Sequence, residues 1–359
     1  MAVQSNPSRL GQNQLAGDAN ALFLKVFSGE IISSFEENNL LMPLHRVRTI
    51  ASGKSAQFPV TGVAGAKYHT PGESLLSTGA TTGYGATTSG GTTTTVPFDG
   101  GANKYLNKFA HSERVISIDD VLVSSTFVAD IDEMKNHYDV RSIYSTEIGR
   151  ALAYTADKNI IHTVIAGARV STDRFGGSSA TYLGDQLEVG TMSAEAMIAV
   201  LFAAAQQMDE KNVPMDGRYC ILNPATYYLL AKGDSGKIGI AINKDYGGAG
   251  SFAAGTVMEV AGIKILKSNH IPSANLAGTI HDDAGILNNP FGGSSGYAAN
   301  FATTKGIVFQ TEAVGTVKLM DLSVESEYIT ERLGTLMLAK YAMGHGILRE
   351  ECCYEIIDA

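Results

Sequence analysis

Residues 130–166 read DIDEMKNHYDVRSIYSTEIGRALAYTADKNIIHTVIA, and this stretch decides the architecture. Asp130 followed three residues later by Glu133 has the form of a capping box. The first side chain accepts from the open N–H groups of a helix start and the second reaches back to it. Beyond it Val140, Tyr144, Ile148 and Leu152 recur at four-residue spacing. Ile160, Ile161, Val164 and Ile165 continue the apolar pattern up to Gly167, which reads as the stop. A helix from Ile131 to Ala166 would span about 54 Å at the usual rise per residue, longer than most globular helices. Gly149 near its middle reads as a bend and a hinge.

Upstream, residues 49–60 (TIASGKSAQFPV) read as one extended segment and 113–123 (ERVISIDDVLV) as its strand partner. Between them, Ser77–Asn103 holds nine Thr and seven Gly, with Thr92–Thr95 consecutive and no apolar periodicity. Such a stretch forms no core, but Thr favours extended backbone. The reading is two long strands with a Gly/Thr tip projecting from the body. Residues 1–19 are polar and low in large apolar groups. Ala21–Phe27 (ALFLKVF) is a short helix-competent run whose Leu22, Phe23, Val26 and Phe27 need a surface to dock on, because an isolated helix this short is marginal in water.

Downstream, Ser193–Glu210 reads as an amphipathic helix with Met197, Leu201, Ala204, Ala205 and Met208 on one face. Tyr219–Leu222 reads as a buried strand, and Asn223-Pro224 as the cap and first turn of a helix running to Lys232 and Gly233. Val257–Lys267 alternates like a hairpin turning at Ala261-Gly262. Strands recur at Gly306–Gln310 and Thr316–Val324, and the linkers 233–255 and 273–305 are rich in Gly, Ala, Ser and Asn, where hinges are expected. Helices and strands are both present, and the class is read as α+β.

The 359 residues exceed the usual single-core size. A net charge of −9 is not the basic footprint of a nucleic-acid binder, although residues 1–70 carry six basic against four acidic groups. Three Cys, two of them adjacent (Cys352, Cys353), argue against a disulfide framework and for a reducing compartment. No apolar leader is seen, and the longest apolar run, Ala196–Ala205, is too short to cross a bilayer.

The search for chemistry fails. Ser52-Gly53-Lys54-Ser55 resembles the end of a phosphate loop, but the required upstream Gly is Arg48. Gly233-Asp234-Ser235-Gly236 has no His in a matching context. The eight His are scattered without metal-ligand spacing, and no catalytic residue, cofactor or metal site is expected. Asp119-Asp120 and Asp282-Asp283 read as solvated or capping pairs, and His345 in Met-Gly-His-Gly as exposed in a turn or as a hydrogen-bonded structural His. What remains is architecture: an arm, a projecting hairpin and an overlong helix that a single chain cannot cover. Repeated heterologous contacts of that kind build rings and lattices.

Several runs carry a resemblance: Ala21–Glu30 (ALFLKVFSGE), Ser52–Val60 (SGKSAQFPV), Asn136–Ser142 (NHYDVRS), Ala313–Leu319 (AVGTVKL) and Lys340–Gly346 (KYAMGHG). In this order they resemble the major capsid proteins of short-tailed double-stranded DNA phages of the coliphage T-seven group, over nearly the whole chain after Ala21. The resemblance implies the Hong Kong 97-like fold of tailed phages. It implies an N-terminal arm at 1–60, an extended E-loop at 61–118 enlarged by the insertion 77–103, and a P-domain at 119–190 holding the spine helix 130–166. Residues 191–330 would be mainly the A-domain and 331–359 a segment returning to the body. It further implies a virion shell of pentamers and hexamers assembled in the bacterial cytoplasm, with no membrane partner. Its partners would be other copies, a scaffolding protein, a portal protein and weakly, non-specifically held double-stranded DNA. Phe23, Phe27, Arg46, Arg48, Lys104 and Lys108 become the expected assembly contacts. Lys67, Lys104 and Lys108 lie in or near the E-loop, and contacts there are expected to be non-covalent. Three rivals stand beside this reading: an encapsulin-type compartment, a glycan-binding module built on the Thr-rich tip, and an enzyme.

Overall fold

The computed structural model describes residues 30–62, 86–89, 92–95, 111–129, 140–173, 179–232, 259–276 and 299–358, with Ala66, Tyr68, His69, Pro71, Phe175 and Tyr297 beside them. Two compact units result: Met1–Phe58 with Arg114–Ala359, and Pro59–Glu113. In the smaller unit strands β3 (Ala86–Ser89) and β4 (Thr92–Thr95) pair antiparallel, Ser89 opposite Thr92, so part of the Gly/Thr tip is a hairpin. Thr suits that backbone because its branched Cβ is tolerated on a pleated strand.

The larger unit is organised by the long helix, here α2 (Val140–Arg169), which follows helix α1 over residues 30–38 in chain order. The expected cap, Asp130 and Glu133, lies outside the described residues. Gly167 does not stop the helix. A Cβ there would stand 2.6 Å from Cys353 Sγ, so its bare Cα lets the last strand of the chain pack onto α2. Nor does Gly149 interrupt the helix, which is continuous through it. A Cβ there would lie 2.7 Å from the Ile31 carbonyl oxygen, so the glycine marks where α1 crosses α2. Ile148 and Leu152 are buried as expected, whereas Tyr144 is exposed.

α2 is long because it serves two cores. Its first half, through Ile148, Leu152, Ala153 and Ala156, packs with Ile31 and Phe35 of α1 against a four-stranded sheet. That sheet runs β1 (Arg46–Thr49), β12 (Val314–Ile329), β13 (Gly334–Ile347), β6 (Leu122–Ala129), with β1 parallel to β12 and the other pairs antiparallel. Its second half, through Ile160, Ile161, Val164 and Ile165, packs against a six-stranded sheet. That order is β7 (Asp185–Val189), β14 (Cys353–Asp358), β11 (Thr304–Gln310), β8 (Arg218–Leu222), β10 (Ile263–Lys267), β9 (Glu259–Val260).

Helices α3 (Ala194–Glu210) and α4 (Pro224–Lys232) belong to the second core, and local rules place them. Ser193 Oγ accepts from Ala196 N at 3.1 Å, and Asn223 Oδ1 accepts from Thr226 N at 2.8 Å, both N-caps. The β9–β10 turn uses Ala261 and Gly262 at φ 52° and 75°, as a two-residue hairpin turn requires.

The extended segments divide differently from the sequence reading. Residues 49–60 fall into the end of β1 and most of β2 (Ser55–Thr61). Residues 113–123 fall into β5 (His111–Ser117), which pairs with β2, and the start of β6, which pairs with β13. The break lies at Ile118–Val121, where Ile118 N donates to Lys54 O and Asp119 is buried, accepting from the Tyr297 hydroxyl at 2.6 Å. Asp119 is therefore an interior group and not a solvated one; Asp282-Asp283 lies outside the described residues.

Two buried carboxylates tie the segments together. Asp157 on α2 accepts from Leu40 N, Leu41 N and His270 Nδ1 at 2.9, 3.1 and 3.0 Å, fixing the chain after α1. Glu355 on β14 accepts from Arg169 Nε and Nη2, Gln186 Nε2 and Thr304 Oγ1 at 2.7, 2.6, 2.8 and 2.5 Å, joining α2, β7 and β11.

Candidate assembly surfaces

Strand β6 (LVSSTFVA) holds no Pro and no charge, and it pairs with β13 alone among the described strands. An uncharged edge of eight residues is a ready template for another chain, and monomeric proteins blunt such edges. The alternation of β6 explains its two faces. Leu122 and Val128 turn to the α2 core, while Val123 and Phe127 turn outward at 49% and 38% exposure. Across the sheet Phe127 lies opposite Leu336, and Leu336 opposite Glu327; Ser125 lies opposite Leu338, and Leu338 opposite Glu325. The outer face is thus an apolar stripe of Val123, Phe127, Leu336 and Leu338 rimmed by Glu325 and Glu327, with Lys340 Nζ on Glu325 at 2.7 Å.

The other edge of the same sheet is β1, and it carries the two expected arginines. Arg46 is exposed and its Nη1 stands 3.9 Å from Glu312 Oε1, a loose pair. Glu312 is held more closely by Arg349 Nη1 at 2.7 Å. Arg48 is engaged within its own chain: Nη1 donates to Gln57 O at 2.8 Å and the guanidinium lies 5.6 Å from the Phe58 ring centre. The two charges interrupt this edge as β6's sequence does not. Phe23, Phe27, Lys67, Lys104 and Lys108 lie outside the described residues. The apolar stripe escaped the sequence reading because β13 was not read as a strand. The signal available was the alternation Thr335, Met337, Ala339 and Tyr341 against Leu336, Leu338 and Lys340.

A second apolar surface lies on α3 and the β9–β10 turn, where exposed Phe202 lines a shallow cleft with Ala261, Asp209 and Glu210. Among the described residues no group of three or more His, Cys, Asp or Glu is placed to hold a metal ion, and no helix is long and apolar enough to cross a membrane. Ser52–Lys54 is an exposed bend leading into Ser55 of β2, and Gly233–Gly236 lies outside the described residues. All three cysteines are buried and none is in a disulfide. His345 is no turn residue: it sits on β13, buried and hydrogen-bonded to Thr316 Oγ1 at 2.8 Å.

The family described as Gp10A-like: Major capsid protein matches residues 101–357. The major capsid protein of Escherichia phage T7 is 30% identical over 99% of this chain and 99% of its own length. That of Enterobacteria phage T3 is 30% identical over 97% of this chain and 94% of its own. The capsid structure of Cyanophage P-SCSP1u superposes with a TM-score of 0.69 at 37% identity, covering 99% of each chain. Both the match and the relatives span most of the sequence, and the fold is that of tailed-phage capsid subunits. The chain belongs to the Gp10A-like family of major capsid proteins.

Proposed function

We propose that this protein self-assembles, as pentamers and hexamers, into the icosahedral head of a double-stranded DNA phage, and that it acts as a structural subunit and not as an enzyme. The single observation that carries the reading beyond family membership is the uncharged edge strand β6 with its apolar outer face. A neighbouring copy covers that face in the shell. Each contact is modest, but closing the lattice engages all of them together, and avidity makes the shell persistent. The phage relatives favour a DNA-filled head over an enzyme-filled compartment of the encapsulin kind.

In this reading residues 1–60 form the arm, 61–118 the E-loop, 119–190 the P-domain with the spine helix, and 191–330 mainly the A-domain. Residues 331–359 return to the body twice, as β13 in one sheet and β14 in the other. Phe23, Phe27, Arg46, Arg48, Lys104 and Lys108 serve as contacts to neighbours or scaffold. A scaffolding protein templates the precursor shell, a portal occupies one vertex, and assembly proceeds in the host cytoplasm. Packaged DNA meets the shell weakly and without sequence preference, because a chain of net charge −9 gains little from counterion release.

The test is Val123→Glu. Position 123 is half exposed and lies opposite Lys340, so the subunit fold tolerates a carboxylate there. Burying that carboxylate in a subunit contact carries a desolvation penalty of several kcal/mol, which Lys340, already paired with Glu325, offsets only in part. The soluble variant should unfold like the parent and yield at least about tenfold fewer particles. Parental particle yield from a folded variant would mean that this face is not buried in the shell.

A further inference from the structure

Three buried side chains from distant parts of the sequence form one hydrogen-bonded chain. His45 precedes β1, and its Nδ1 stands 2.8 Å from Leu41 O while its Nε2 stands 2.5 Å from Thr316 Oγ1. Thr316, on β12 beside Val47, is in turn 2.8 Å from His345 Nδ1 on β13. All three are nearly or wholly shielded from solvent.

Only one arrangement of protons satisfies this chain. A carbonyl oxygen only accepts, so His45 Nδ1 carries the hydrogen and donates to Leu41 O. The Nε2 of a neutral His45 is then bare and accepts the Thr316 hydroxyl proton. The Thr316 oxygen accepts from His345 Nδ1–H. Adding a proton to His45 places an N–H at Nε2, so two N–H groups face the Thr316 oxygen and the hydroxyl proton loses its acceptor unless His345 moves its own proton to Nε2. It also buries a charge beside a second imidazole.

We propose that His45–Thr316–His345 is an acid-released latch, closed while both imidazoles are neutral, that holds the N-terminal segment through β1 onto the body of the subunit.

The surrounding groups favour the neutral state. Burial acts first on His45 and holds its pKa below the usual 6.5; Lys318 of β12 adds to this, while Asp157 of α2 and the Leu41 carbonyl oppose it. The Asp157 carboxylate already accepts from two backbone N–H groups and from His270 of the segment after β10. On the other side burial, with His45 as a second cause, lowers His345 to about 3. The ring of Tyr297 stands edge-on to His345 at 6.2 Å, and its hydroxyl donates to Asp119, from the segment before β6. Burial raises the Tyr297 pKa well above 10, with smaller contributions from Asp119 and from Tyr341 of β13, so it stays neutral in the acid range. A histidine whose folded pKa lies below its unfolded value stabilises the fold fully above about pH 6.5. That stability is lost as pH falls toward the folded pKa, which for His345 means down to about 3.

The test is amide hydrogen exchange of the soluble full-length chain at pH 7.5 and 5.0, corrected for the intrinsic exchange rate. Protection of residues 41–49 should fall by up to about tenfold per pH unit below 6.5, the limit for uptake of one proton, while β8 keeps its protection. Protection at 41–49 that is independent of pH, or that falls equally in β8, overturns the proposal. His45→Gln keeps one donor and one acceptor but cannot titrate, and it should flatten the pH dependence. His270→Gln should leave the pH dependence as in the parent. A parental slope in His45→Gln, or its loss in His270→Gln, assigns the sensor elsewhere. Should His45→Gln fail to fold, Thr316→Val is read instead. Lower protection of 41–49 at pH 7.5 with a shallower slope supports the latch, and unchanged protection refutes it.

Discussion

Replacing Glu355 by Ala removes the acceptor at the junction of α2, β7, β11 and β14, and the structure sets the scale of the effect. The carboxylate is fully buried and accepts four hydrogen bonds, two of them from Arg169. Removing one partner of a buried ion pair costs about 3–5 kcal/mol, because the other charge stays desolvated. Arg169 is 24% exposed and keeps the Asn300 carbonyl at 2.8 Å, which places the loss near the lower end, about 3 kcal/mol. Against a total stability of about 5–15 kcal/mol this is a large fraction. Urea unfolding of the soluble subunit, followed by circular dichroism, should show a midpoint lowered by about 1 M for a slope of about 3 kcal/mol per M. Glu355→Gln keeps the shape and one acceptor oxygen and should lose roughly half as much. An Ala variant whose midpoint moves by less than about 0.3 M would refute the reasoning, for it would mean that Arg169 and Thr304 find equivalent partners elsewhere.

Two further outcomes follow from the surfaces. Replacing Phe23 and Phe27 together by Ala should lower particle yield more than soluble yield, as the proposed assembly contact of these side chains requires; unchanged particle yield counts against that role. Deleting the Gly/Thr tip between Leu76 and Lys104 with a short Gly linker should leave secondary structure intact, since closing a loop of different length changes the cost by only about 0.6 kcal/mol per doubling. Particles of the deletion should break at lower temperature than the parent's, and equal thermal stability would reduce the tip to decoration.

Much of the fold was legible where a local rule and the tertiary environment agree. The α3 face Met197, Leu201, Ala204, Ala205 and Met208 is buried as its spacing requires. The Asn223 cap and the Ala261-Gly262 turn are local devices and stand where the sequence places them. The failures are of another kind. Gly149 and Gly167 read as a bend and a stop because glycine does both, yet here each makes room for a crossing segment. Strand β13 lost its alternation beyond Lys340 because residues 341–346 are buried on both sides. Gly344 within it faces the Ser117 backbone with no space for a side chain, so of the two readings of Met-Gly-His-Gly the turn fails and the hydrogen-bonded structural His stands. The partnership of His45 with His345 spans the whole fold, and no spacing rule reaches across it. The candidate surface escaped for the same reason: its apolar stripe is built from β6 and β13, which only the folded register brings side by side.

The measurement that tests the central claim most directly is electron microscopy of the purified chain, alone and co-expressed with a scaffolding protein. The account predicts rings, tubes or shells from the chain alone and closed, regular precursor shells with scaffold. A strictly monomeric protein at high concentration with scaffold present, in the micrographs and in light scattering of the same sample, would contradict it.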